Sequence, residues 1–336
     1  MPQETLHASL YRDAGTYETE RRKIFGRSWQ FLGHESQLAQ PGHYLAVTIA
    51  GYPLIAVRGK DGVIRAFHNV CRHRAGPLAD DGTGACADFL TCRYHGWRYA
   101  LDGRLAAARD FGPAPDFDPR AFGLHRLECQ TWRGFVFANM DLEGEPLHRA
   151  IAPLDRATRS FNFDDIVFTR ATTHRIRCNW KTYAENYLEG YHIPLVHPGL
   201  NAAVDAAHYA VRVEDAVAFH HAPPRDGSPV AGQWALLWPS LAVNVYANGV
   251  MMERIVPEGH THTRLDYLYF FEKDLAPEEA DRAVQSSETT TEEDVTITEA
   301  VQRNLDAGIY QTGRLSPRHE GAVGWFQNAI AQALKA

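Results

Sequence analysis

An α+β fold in two main parts is what this chain predicts, and three observations point to it. Short runs rich in branched residues crowd positions 40–140, strand-like and helical patterns mix after about 165, and the two clearest helical patterns come last. Strands followed by closing helices argue against a parallel doubly wound sheet, in which the two would alternate. The 336 residues, 45% hydrophobic and 22% charged, suit a globular protein of about two domains.

The elements follow in order. A short helix is expected over 16–26, capped by Thr16 and carrying Tyr17, Arg21, Ile24 and Phe25 along one side. Residues 43–49, 53–58 and 63–68 read as strands, and Gly59-Lys-Asp-Gly62 as the turn between the last two. Residues 93–100 and 127–139 continue the β texture, while the proline-rich 110–119 reads as a surface connection. Gly82-Thr-Gly84 reads as a loop, since it lacks the third glycine and the strand-to-helix setting of a nucleotide fingerprint. Beyond 165, strands are expected over 166–178, 209–219, 234–246, 250–256 and 262–272. Two helices close the chain: 277–305, ending before Gly308, and 318–334, with Val323, Phe326, Ile330 and Leu334 at helical spacing. The expected division is an N-terminal helical segment, 1–40, packing on the last domain, then a β domain, 41–145, and an α+β domain, 146–336.

A net charge of -7 without a basic cluster argues against nucleic acid or an anionic membrane as partner. The first fifteen residues lack the apolar core of a signal peptide, and no run is long enough to span a bilayer, so a cytoplasmic protein is expected. The cysteines at 71, 86, 92, 129 and 178 have no disulfide-framework spacing. Cys86, Cys129 and Cys178 read as small hydrophobes.

Cys71 and Cys92 have a different company. Cys71-Arg-His73 and Cys92-Arg-Tyr-His95 each follow a strand-like run and together offer two thiolates and two imidazoles. Such a set suits a tetrahedral zinc, or a [2Fe-2S] centre in which two His replace two Cys on one iron. The cluster is preferred, because each pair mixes one Cys with one His and because a second metal pattern, below, needs an electron source. Gly76 and Gly96 would let backbone N–H groups approach the sulfurs. A flavin fingerprint and a Cys-rich ferredoxin run are both missing, so electrons must come from another polypeptide, a reductase or a ferredoxin with its reductase.

The second pattern runs from Glu185 to Pro198. Tyr183, Tyr187, Leu188 and Tyr191 follow Trp180 at helical spacing, which predicts an amphipathic helix to about residue 191, with Glu185, Glu189 and His192 as a second stripe. Pro194 should then end the helix and bring His197 back towards His192. Two histidines at an iron want one carboxylate. Asp294 falls on the helical stripe of Ile297, Thr298, Val301 and Leu305 and should point inward, whereas Glu292 and Glu293 should face solvent. Phe219, Trp234, Trp238 and Tyr246 are candidate pocket aromatics, although core packing is the commoner role.

These residues resemble those of the catalytic α subunit of Rieske non-haem iron oxygenases, the ring-hydroxylating dioxygenase family. The resemblance rests on Cys71-x-His73 with Cys92-x2-His95, and on Glu185-Asn186 leading to His192 and His197. It extends to Asp294 with Glu299-Ala-Val-Gln302, and to Gly313-Arg-Leu-Ser-Pro317. It implies a Rieske [2Fe-2S] domain, then a helix-grip catalytic domain with an antiparallel sheet, in a homotrimer where the cluster of one subunit serves the iron of the next. Cys71, His73, Cys92 and His95 would hold the cluster, and His192, His197 and Asp294 the mononuclear iron. Glu189 would bridge His192 to a cluster histidine, His73 or His95, of the neighbouring subunit. Glu189 stands where aromatic dioxygenases carry Asp, so the chain looks most like the choline, glycine betaine and carnitine oxygenase branch.

The implied reaction uses O2 and NAD(P)H-derived electrons to hydroxylate a small organic substrate, with N-demethylation or hydroxylation of a quaternary ammonium compound preferred. Aromatic ring hydroxylation is the alternative within the family. A Rieske electron carrier with an appended binding domain, or a zinc-stabilised interaction module, would be of another class.

Overall fold

The computed structural model describes residues 4–225 and 232–335. The chain divides into two compact units, Gly26–Leu147 and, discontinuously, Met1–Phe25 with His148–Ala336.

The β unit holds β1 (Gln30–His34), β2 (His43–Ile49), β3 (Tyr52–Arg58), β4 (Ile64–His68), β5 (Gly82–Ala85), β6 (Phe89–Thr91), β7 (Arg98–Ala100), β8 (Leu105–Ala107), β9 (Arg126–Trp132) and β10 (Phe135–Asn139). Seven form one sheet in the order β1-β10-β9-β4-β3-β2-β5, and β6-β7-β8 form a second. Two hairpins close through two-residue turns with positive φ at both positions, Ala50-Gly51 (47° and 76°) and Arg133-Gly134 (51° and 80°). Such turns match the twist of the strands they join. Arg133 carries no turn signature of its own, which is why 127–139 reads as one run.

Two further expectations change here. Gly82-Thr-Gly84 is a strand and not a loop: β5 pairs with β2 at the sheet edge, where missing side chains cost little packing. Residues 26–40 belong with the β unit and not with an N-terminal segment, because β1 pairs with β10 from Gln30 opposite Ala138 to His34 opposite Phe135. All five β1 residues are buried, so the period-2 signal that marks a half-buried strand is absent.

The second unit is built on β11 (Ile166–Ile176), β12 (Ala210–Glu214), β13 (Val217–His221), β14 (Gly232–Leu237), β15 (Leu241–Tyr246), β16 (Gly249–Pro257) and β17 (Thr263–Glu272). They make one antiparallel sheet in the order β11-β17-β16-β15-β14-β13-β12. The long helix Pro277–Asp306 is held on its face, with Ser287 bonded to Tyr269, Glu288 to Thr172 and Thr291 to Tyr267. This is the helix-grip arrangement. The last helix, Gly321–Lys335, buries Val323, Phe326 and Ile330.

The buried stripe of the long helix runs through Thr291, Asp294, Thr298, Gln302 and Leu305, while Ile297 and Val301 are 39% and 41% exposed. Polar side chains take the inward face because each finds a partner. Thr298 returns its hydroxyl to the Asp294 carbonyl at 2.7 Å, and Gln302 accepts the Asn179 amide at 2.8 Å.

The first helix, Ala14–Lys23, is capped by Asp13 and not Thr16, since the Asp13 carboxylate accepts the Thr16 amide hydrogen at 2.6 Å. Its inward residue is Glu20. This carboxylate pairs with Lys181 at 2.6 Å, neither side chain exposed, and accepts the Trp180 indole hydrogen at 2.8 Å. Phe25 meets the same indole edge-on at 5.0 Å. Among the described residues, no helix is long and apolar enough to cross a membrane.

Candidate functional site

In the β unit, the loop after β4 and the loop of the β6–β7 hairpin are near copies of one another. The Cys71 amide donates to the Gly76 carbonyl and the Cys92 amide to the Trp97 carbonyl, both at 2.8 Å; Ala75 and Gly96 donate back to the Cys71 and Cys92 carbonyls at 3.0 and 2.9 Å. Ala75 and Gly96 both carry positive φ, 55° and 75°, and turn each loop back on itself. Both cysteines are 2% exposed and lie in the core of the unit. A Cβ on Gly76 would stand 2.8 Å from the Cys92 sulfur, so only glycine leaves that cradle open.

His73 and His95 face each other with ring centroids 4.6 Å apart, and Trp97 stacks on His73 at 4.9 Å. The Nδ1 atoms of His73 and His95 are buried without a hydrogen-bond partner. Two orphaned imidazole nitrogens beside two buried thiols are what a mixed-ligand iron–sulfur cluster would satisfy. Tyr99 sets its hydroxyl 3.2 Å from the Cys71 sulfur.

The second unit brings His192, His197 and Asp294 together, with ligand atoms all within 4.8 Å of one another. The two Nε2 atoms lie 3.1 Å apart, and Asp294 Oδ1 lies 3.0 Å from His197 Nε2 and 3.6 Å from His192 Nε2. Behind each ring stands a carboxylate. Glu189 meets His192 Nδ1 at 2.5 Å, and Glu293 meets His197 Nδ1 at 2.7 Å. With both Nδ1 hydrogens engaged, the Nε2 lone pairs turn to the common point. Asn186 donates to Asp294 Oδ1 at 2.6 Å. Two imidazoles and one carboxylate on one side of an open space suit an iron with free positions for oxygen.

The local path differs from the expected one. The helix is Trp180–Tyr187, and Leu188 caps it; Glu189 lies in the following turn, where its carboxylate also accepts the Tyr191 and His192 amides. Pro194 does not stop a helix but opens the short helix Ile193–Val196, which sets His192 before it and His197 after it. Proline suits a first turn because no N–H is needed there. Glu293, expected in solvent, turns to His197 instead. Glu293 and Asn186 are the residues that sequence reasoning left without a role, although each adjoins a motif already singled out.

A cavity of about 600 Å³ opens beside these ligands. Tyr183, Tyr187, Trp234, Tyr246, Tyr267 and Tyr269 supply its aromatic wall. Of the four candidate aromatics, Trp234 and Tyr246 line it; Phe219 is buried in the core and Trp238 packs on Phe326. Buried polar side chains also reach it, His220 and Glu253 among them. Burial pulls His220 down to about 3, so the ring is neutral, and its Nδ1 meets the Tyr209 hydroxyl at 2.5 Å. Glu253 is 2% exposed, and desolvation pushes its carboxyl up to about 7.

The Cys/His loops of the β unit and the sheet-held set of His192, His197 and Asp294 are what a subunit with an electron-relay cluster and an oxygen-activating iron would present. Residues 28–118 match the Rieske [2Fe-2S] domain, and 163–228 with 212–336 match the ring hydroxylating alpha subunit, catalytic domain. The chain belongs to this family, the α subunits of Rieske non-haem iron oxygenases, and is an oxidoreductase whose cofactors are a [2Fe-2S] cluster and a mononuclear iron. It is 30% identical to the carnitine monooxygenase oxygenase subunit of Escherichia coli K12 over 357 residues, covering 99% of this chain and 95% of that protein. It is 28% identical to the chloroplastic choline monooxygenase of Beta vulgaris, covering 98% of this chain and 77% of that one. Its fold matches a solved quaternary ammonium Rieske monooxygenase, studied for carnitine oxidation by gut microbiota and inter-subunit electron transfer. That match has a TM-score of 0.89 at 27% identity and covers 99% and 96% of the two chains.

Proposed function

We propose that this chain is a monooxygenase of quaternary ammonium compounds, acting in the cytoplasm as a homotrimer with a separate reductase. The carrying observation is the juxtaposition of the His192, His197 and Asp294 ligand atoms with an aromatic-walled cavity of about 600 Å³. Aromatic faces attract a trimethylammonium head through their ring quadrupoles. The carnitine and choline monooxygenases among its relatives support the same substrate class.

The residues have distinct tasks. Cys71, Cys92, His73 and His95 would hold the cluster, and His192, His197 and Asp294 the iron. When bound, the cluster supplies single electrons and the iron activates O2. Glu189 and Glu293 hold the two rings by their Nδ1 hydrogens, which fixes the tautomer that leaves Nε2 free. Asn186 holds Asp294 in place. Glu189 would also reach a cluster histidine of a neighbouring copy, consistent with inter-subunit electron transfer in the structural relative. The aromatic wall keeps water from the reacting carbon. Hydroxylation of an N-methyl carbon yields a carbinol that collapses to a tertiary amine and formaldehyde, while hydroxylation of a carbinol carbon yields an aldehyde hydrate.

Purified protein with a partner reductase tests this reading. About three irons per chain are expected, two in the cluster and one in the triad. Asp294→Ala should keep the cluster and lose the third iron. Trimethylammonium compounds should stimulate NAD(P)H oxidation with release of formaldehyde or of another aldehyde, and benzoates should not; the reverse preference overturns the substrate class.

A further inference from the structure

We propose that the cavity selects a ligand of net positive charge without a carboxylate, and that Glu253 is the counter-charge that selects it. The proposal rests on the quaternary ammonium reading and narrows it from any trimethylammonium compound to the cationic ones.

Glu253 sits on β16 between Ala242 of β15 and Tyr267 of β17. Glu253 lines the cavity at 2% exposure, and its Oε1 is buried without a hydrogen-bond partner. Leaving that acceptor unpaired costs about 1–3 kcal/mol, which a cation in the cavity would offset. The hydroxyls of Tyr183 and Tyr267 stand close enough to pull the carboxyl part of the way back down, so the buried Oε1 lies among aromatic groups that also favour a cation.

The charge inventory points the same way. Three acids line the cavity, Glu189, Glu253 and Asp294, and among the described residues lining it there is no Lys or Arg. Glu189 is occupied by His192 and two backbone amides, and Asp294 by the two rings and Asn186. Arg254, next along the strand, does not line the cavity and pairs with Asp266 at 3.2 Å. Of the three, Glu253 is the acid with a buried oxygen that no hydrogen bond fills. A ligand carboxylate would be buried with no protein cation to meet it, a costly arrangement, and at the iron it would take the positions that oxygen needs. A lone quaternary ammonium instead meets Glu253, whose charge offsets the hydration it gives up. Desolvation holds the Glu253 carboxyl up at about 7, and a cation beside it would restore the charged form.

Calorimetric binding to the iron-loaded protein tests this, with choline and tetramethylammonium as cations, glycine betaine and carnitine as zwitterions, and 3,3-dimethylbutan-1-ol as the neutral shape-match of choline. Choline should bind at least about tenfold more tightly than glycine betaine and than the neutral alcohol. Glu253→Gln should cost choline about tenfold or more and leave the alcohol within about twofold. Zwitterions binding as tightly as choline to the wild type, or choline unaffected in Glu253→Gln, overturn the proposal and leave the quaternary ammonium reading standing. If benzoate binds and no ammonium compound does, the underlying reading fails as well. The wild-type comparison decides the matter even if the variant does not fold.

Discussion

Glu293 accepts the Nδ1 hydrogen of His197 at 2.7 Å, so the turn of helix that presents Asp294 also fixes the ring that Asp294 faces. One carboxylate acts on the shared point and its neighbour acts on the ring behind it. Removing the rear support should loosen the metal without deleting a ligand.

Glu293→Ala is therefore expected to weaken iron binding about 10- to 100-fold, while Glu293→Gln, which keeps an acceptor oxygen, recovers part of the loss. Iron titration of the apo protein measures this. Equal affinity in all three proteins would show that the contact is incidental.

Glu189 makes the matching contact to His192 and should show a similar loss of iron affinity, but a second consequence separates the two acids. At saturating iron, with the cluster intact, Glu189→Ala is expected to slow reoxidation of the reduced cluster in single turnover about 100-fold, and Glu293→Ala far less. Indistinguishable rates in the two variants would remove Glu189 from the electron route.

Cys92→Ala should abolish the visible spectrum of the cluster and all turnover, yet leave the second unit folded, because its residues share one sheet and core of their own. Retained binding of iron and choline is the readout. A variant that loses every fold signal would contradict the independence of that unit.

The Glu185 carboxyl accepts a hydrogen bond from Tyr11 at 2.6 Å and another from Gln327 at 3.1 Å. Desolvation pushes it up from 4.5 to about 7, although both bonds and the Lys181 ammonium oppose the shift. Between those values the folded chain holds the proton more tightly than the unfolded one, so stability falls as pH rises through the window. Glu185→Gln cannot titrate, and its melting temperature should gain on the wild type as pH is raised from about 5 to 8. A gain of about 2–4 °C per kcal/mol is expected, and parallel curves would falsify the assignment.

Much of this was legible in the sequence, for physical reasons that differ from element to element. His43–Ile49 was readable because Val47, Thr48 and Ile49 crowd together between Gly42 and Gly51, and the helix Pro277–Asp306 because its pattern persists for many turns. The inward stripe of that helix was misread. Apolar Ile297 and Val301 outranked Gln302 on hydrophobicity, but the partner that makes its burial acceptable, Asn179, lies 123 residues away in sequence. Glu293 was hidden for the same reason, its partner His197 being 96 residues distant. Glu253 carried no signal at all, since one acid in a strand is ordinary until the sheet register sets it beside Tyr267.

The buried pair of Glu20 and Lys181 fixes an order of events during synthesis. The two residues are 161 positions apart, with the whole β unit between them. At about 5–20 residues per second a ribosome needs roughly 8–30 s to travel from one to the other. Over that interval the β unit, contiguous from Gly26 to Leu147, can be finished, whereas the first helix waits with an unmatched carboxylate. The nascent chain thus makes its electron-handling half first, and the iron-holding half closes around its own beginning only when Lys181 and the helices after it have emerged.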